Sequence, residues 1–85
     1  MAASIASPAR YTETAARETL DRVLSAREGA LAFSTYRERR EADDLLDSAL
    51  GALARESWQD AGECAHMAYR TLQRGHRLAK AAVAS

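Results

Sequence analysis

Residues 29–38 read Gly29-Ala30-Leu31-Ala32-Phe33-Ser34-Thr35-Tyr36-Arg37-Glu38, and whether the chain breaks within them decides the architecture. Gly29 loosens the end of a helical run because it carries the largest backbone entropy. Thr35 followed three residues later by Glu38 matches a capping box, the pairing that satisfies free backbone N–H groups at a helix start. A turn near Phe33-Ser34 is therefore expected. The alternative is one long helix continuing through residues 29–36.

On the N-terminal side, Ala16, Leu20, Val23, Leu24 and Leu31 recur at intervals that form one helical stripe. Ser7-Pro8 offers an N-cap followed by a proline in the first helical position, and Tyr11-Thr12 offers a later start. On the C-terminal side, Ala42, Leu46, Ala49, Leu50 and Leu53 form a second stripe with Leu45 on its flank. A second turn falls at Arg55-Glu56-Ser57, where Ser57 and Asp60 resemble another cap. The third helix then buries Trp58, Ala61, Ala65, Tyr69, Leu72, His76, Ala79 and Val83. Alternation with period two, the mark of a strand, occurs nowhere. The expected fold is all-α: a small three-helix antiparallel bundle with helices over about 8–32, 35–55 and 58–83. Residues 1–7 are expected to be a disordered tail, and 8–85 a single helical domain.

The composition limits how much such a bundle can bury. The chain has 85 residues and is 47% hydrophobic, but alanine supplies much of that fraction. Alanine favours helix and buries little area, so dimerisation is a natural way to complete the core. Twelve basic and twelve acidic residues cancel, so no global field selects nucleic acid or a membrane. The single cysteine, Cys64, forms no internal disulfide and fits a reducing compartment. The N-terminal residues lack a secretory pattern, and no uncharged stretch approaches the ~18 residues of a membrane span. A cytoplasmic location is expected, and the preference for Arg over Lys together with abundant Ala suggests a bacterial source.

Few residues suggest chemistry. Cys64, His66, Met67 and His76 are metal-binding types, but Cys64 and His66 diverge by about 200° on a helix. No CxxC, HExxH or EF-hand spacing is present. Cys64 and Met67 are expected to pack as apolar groups, with no metal or cofactor. His76 is expected to be a hydrogen-bonded, half-buried histidine near Tyr69. The Arg70-x5-His76 spacing resembles the catalytic element of HEPN ribonucleases, a likeness that implies RNA cleavage. On a regular helix, however, Arg70 and His76 point about 120° apart, and the chain is short for that bundle. No nucleophile–base pair or glycine-rich loop accompanies them, so no catalytic residue is expected. Within Leu46–Leu72, the placement of Trp58, Ala61 and Ala68 resembles the second helix of a tetratricopeptide hairpin, over about a third of the chain. A repeat protein, however, needs several such units.

Charge placement is more informative. Glu18 and Arg22 stand at i,i+4 in the favourable order; Arg37/Glu41, Arg39/Asp43 and Arg40/Asp44 do so in the weaker order. Arg70, Arg74 and Arg77 form a stripe without local acidic partners, with Lys80 nearby. In an antiparallel bundle Arg70 faces Asp43 and Asp44, while Arg74 and Arg77 approach Arg37, Arg39 and Arg40. Residues 25–42 and 68–85 then form an end of net charge +5, and the remainder carries −5. The expected function is a non-enzymatic helical protein–protein interaction module: a small adaptor, chaperone-like or regulatory protein that binds a protein partner or its own copy. Candidate contacts are Phe33, Tyr36, Trp58, Met67, Arg70, Arg74 and Arg77, since aromatic and Arg side chains are common interface anchors. The alternative is a nucleic-acid-binding regulator using Arg37, Arg39, Arg40, Arg74 and Arg77. No aromatic side chain interleaves the arginine stripe to stack on bases.

Overall fold

A computed structural model describes residues 10–84, which form three helices: α1 (Glu13–Glu28), α2 (Tyr36–Ala54) and α3 (Trp58–Ala84). The Ser7-Pro8 start and the expected tail lie outside the described residues. The chain does break between Gly29 and Thr35, so the bundle has three helices. Helices α1 and α2 each pack mainly on α3 and meet one another only marginally. The course is up-down-up: Tyr11 lies at Gly62 and Thr35 at Gly75, so α3 runs alongside α1 and antiparallel to α2.

The α2/α3 contact is built from small residues. Buried along α3 are Ala61, Ala65, Ala68, Leu72, Gly75 and Ala79, at alternating intervals of four and three. Glu38, Ala42, Leu46, Ala49 and Ala52 are buried along α2. A near-3.5-residue repeat of alanine and glycine lets two backbones approach closely, with short side chains in the gaps. Each alanine removes little area from water, so close approach and dispersion must supply what large side chains would. Helix α1 adds the larger groups. Leu20 and Val23 join Ala42, Leu46, Ala49, Ala65, Ala68 and Leu72 in the main cluster, and Val23 and Leu72 are the largest fully buried side chains.

A second cluster, formed by Tyr11, Ala16, Ala52 and Ala61, explains why α1 begins at Glu13 rather than near residue 8. Tyr11 precedes the helix and Thr12 is extended, and the Tyr11 ring lies against α3, where a Cβ on Gly62 would otherwise sit. The Tyr11 amide donates to Gln59 Oε1 at 2.7 Å. The Thr12 hydroxyl then accepts from the Ala15 amide at 3.1 Å and caps the helix. The later of the two starts is used because a buried tyrosine outweighs a few more exposed helical residues.

Other expectations need correction. Helix α1 stops at Glu28 rather than near Leu31, because Leu31 turns back to donate its amide to Ala26 at 2.7 Å. Leu24, Leu50 and Val83, each assigned to a core stripe, are exposed. The buried face of α3 is rotated toward its small residues, which leaves Trp58 and Tyr69 half-buried, while His76 is half-buried as expected. The Thr35 capping box is incomplete: its hydroxyl donates to the Glu38 carboxylate and caps no backbone amide. None of the i,i+4 pairs Glu18/Arg22, Arg37/Glu41, Arg39/Asp43 and Arg40/Asp44 forms an ion pair among the described residues, whereas Glu13 and Arg17 do, at 3.0 Å.

Candidate interaction groove

On the face of the α2/α3 hairpin away from α1, the two helices leave a surface groove. Glu41, Asp44, Leu45 and Ser48 supply one wall; His66, Met67, Arg70, Thr71 and Arg74 supply the other. Each set follows the three-and-four spacing of one helical stripe, next to the stripe that packs the hairpin. Leu45 and Thr71 are largely covered and form the floor, while Met67 is 53% exposed over it. The rims carry opposite charge: carboxylates along α2 and guanidinium groups along α3.

Three of the residues singled out from sequence, Met67, Arg70 and Arg74, meet in this groove. Arg70 and Asp44 stand on opposite rims, as the antiparallel reading expects, and neither has an ion-pair partner among the described residues. Asp43 behaves differently. It points toward α1 and takes Arg27 in a two-pronged pair, Nε to Oδ1 at 2.6 Å and Nη2 to Oδ2 at 3.0 Å. That hydrogen bond from Arg27, reinforced by its charge, holds the Asp43 carboxyl below the ordinary range against the opposing effect of partial burial.

Arg74 departs from the expectation of an unpaired stripe. It reaches across to α2, 3.5 Å from Glu41 and 4.0 Å from Glu38. The Thr35 hydrogen bond is the main cause that lowers the Glu38 carboxyl, and the Arg74 charge contributes. Arg39 is also engaged, donating to the Ala32 carbonyl at 2.8 Å, and Arg40 lies 3.4 Å from the Tyr36 hydroxyl. The end comprising 25–42 and 68–84 does come together, but Arg27, Arg39 and Arg74 spend their donors within the fold.

The remaining candidates are scattered. Phe33, in the loop, and Tyr36, the first residue of α2, are exposed and do not line the groove; Tyr36 borders a neighbouring depression with Arg39, Arg40, Asp43 and Asp44. Trp58 is not an exposed anchor: it packs against the Tyr11 cluster with the Arg17 guanidinium 5.9 Å from its ring centroid. Arg77 is exposed on the C-terminal part of α3. His76 Nδ1 donates to the Phe33 carbonyl at 2.7 Å, tying the loop to α3. Cys64 packs against the main cluster, and burial, with Asp60 and Glu63 nearby, raises its thiol pKa, the reverse of a reactive cysteine. Among the described residues no three His, Cys, Asp or Glu side chains converge, and no helix is long and apolar enough to cross a membrane.

Sequence reading placed Asp44 opposite Arg70 but missed Leu45 and Glu41 as groove residues. Their spacing beside the core stripe was a visible signal, but only the hairpin register brings them opposite Met67 and Arg70. No protein-family model, curated protein or solved structure matches this chain.

Proposed function

We propose that this protein is a non-enzymatic helical interaction module and that the α2/α3 groove is its contact face. The observation that carries this reading is the joining of exposed Met67 to two opposite charges, Arg70 and Asp44, which have no ion-pair partner among the described residues, along one groove. An amphipathic helix fits such a surface, with an apolar edge over Leu45 and Met67 and charges on both flanks. Another groove, between α1 and α2, holds Leu24, Leu46 and Leu50, but its Arg27 and Asp43 are already paired, which leaves only Asp47. It offers a partner less charge to recognise.

Replacing Met67 by a photo-crosslinking amino acid in living cells tests this. The expected result is a discrete adduct that is missing when the same group replaces Asp21 on the exposed side of α1. Absence of any adduct specific to Met67 would remove the reading. Of the nucleic-acid alternative's residues, Arg37, Arg39, Arg40, Arg74 and Arg77, only Arg74 has an ion-pair partner among the described residues, and Arg39 is held by the Ala32 carbonyl, which leaves Arg37, Arg40 and Arg77 with Lys80 nearby. Phosphate contacts would give binding that falls steeply with salt. No binding to DNA or RNA at low salt eliminates it.

A further inference from the structure

Resting on the interaction reading, we infer that the occupant of the groove is a second copy of this chain, related by a two-fold axis parallel to the helices. The charge pattern selects this geometry. The acidic residues of the groove lie on α2 and its arginines on α3, at similar heights, because Arg74 already reaches Glu41. Two copies can stack these faces about either of two in-plane two-folds. An axis across the helices sets α2 against α2, acid facing acid, and α3 against α3, base facing base. An axis along the helices sets each α2 against the partner's α3. Asp44 of each copy then faces Arg70 of the other, twice by symmetry, because a two-fold interface is self-complementary. Each Met67 then packs over the Leu45 and Ser48 wall of the other copy.

The product is a four-helix layer, α2 and α3 from each copy, with each α1 on an outer face. It supplies two things the single chain lacks. It covers Met67, and it pairs Asp44 and Arg70, which find no ion-pair partner among the described residues of one chain. Because the apolar centre is small and the rims are charged, association should weaken as salt rises.

Sedimentation of the purified full chain at about 1–100 μM, a range suited to a modest interface, tests the proposal. The wild type is expected to be dimeric at low salt and to dissociate progressively as salt is added. Asp44→Arg and Arg70→Asp, both at exposed positions, are each expected to weaken the dimer about tenfold or more while leaving helical circular dichroism unchanged. Mixing the two variants is the decisive arm. One then carries only basic residues at positions 44 and 70 and the other only acidic ones, so both contacts become complementary and a heterodimer should form. A wild type that stays monomeric throughout overturns the proposal, as does a dimer that neither variant weakens. The crosslink at position 67 separates this failure from that of the broader reading. An adduct of twice the chain mass supports the second copy. An adduct of another mass from a monomeric protein overturns the second copy and keeps the interaction module. No adduct overturns both.

Discussion

Gly75 shows how a single residue sets the closeness of the bundle. Its carbonyl accepts the Thr35 amide at 3.2 Å, so the start of α2 rests on the α3 backbone. A Cβ there would stand 2.7 Å from Glu38 Cβ, with Ser34 Oγ closer still. Alanine in a helix interior normally gains about 1 kcal/mol over glycine. Here that gain is opposed by overpacking, which costs about 1–3 kcal/mol. Gly75→Ala should therefore lower stability, or at best leave it level, instead of raising it. Urea unfolding checks this, and a rise of about 1 kcal/mol would mean that the loop yields freely. At the same scale, Met67 and Arg70 were recognisable from sequence as exposed candidates, whereas Trp58 was not recognisable as half-buried. Its cover comes from Tyr11 and Arg17, which reach it only after folding.

The α2–α3 turn is a matter of elements. Ser57 donates its amide to Ala52 at 2.8 Å and Glu56 donates to Leu53 at 2.9 Å, which closes α2 with paired reverse bonds. This closure places Glu56 at φ 61°, a left-handed conformation normally reserved for glycine. Glu56→Gly should stabilise the protein by about 0.5–1 kcal/mol, the relief of Cβ strain exceeding the added chain entropy. A shift of the thermal midpoint upward tests it; a fall would show that the Glu56 side chain contributes in another way. The helices themselves were legible from three-and-four spacing and from the turns near Ser34 and Ser57. Their rotation was not. On α3, apolar and small residues lie around much of the circumference, and pattern alone favoured Tyr69, His76 and Val83 over Gly62 and Gly75. Close packing prefers the smaller set.

Across the whole molecule, two carboxylates link acidity to stability. Asp43 ties α2 to α1 through Arg27, and Glu38 ties the start of α2 to Thr35 and Arg74. Both titrate below their ordinary values in the folded chain, so the unfolded chain binds protons first as pH falls. Their contribution is fully present above the unfolded range of about 4 and is lost as pH drops through the lower folded values. Stability measured by urea at pH 7, 5, 4 and 3 should decline mainly below about pH 4. Asp43→Asn should reduce stability at neutral pH and make that decline shallower. An unchanged slope would show that Arg27 contributes nothing through Asp43.

The sequence by itself determined that the chain is helical and that it breaks twice. These follow from local spacing, cap residues and turn chemistry, which act within a few positions. Only the tertiary structure decided where α1 begins, which arginines are spent on the fold, and which exposed residues share a surface. Those outcomes depend on contacts between distant residues: Tyr11 with Gly62, Arg27 with Asp43, Arg74 with Glu41. Helical periodicity states which residues share a face, but it does not set the rotation of one helix against another. Here small residues set that rotation, and with it the groove that joins Met67 and Arg70 to Asp44.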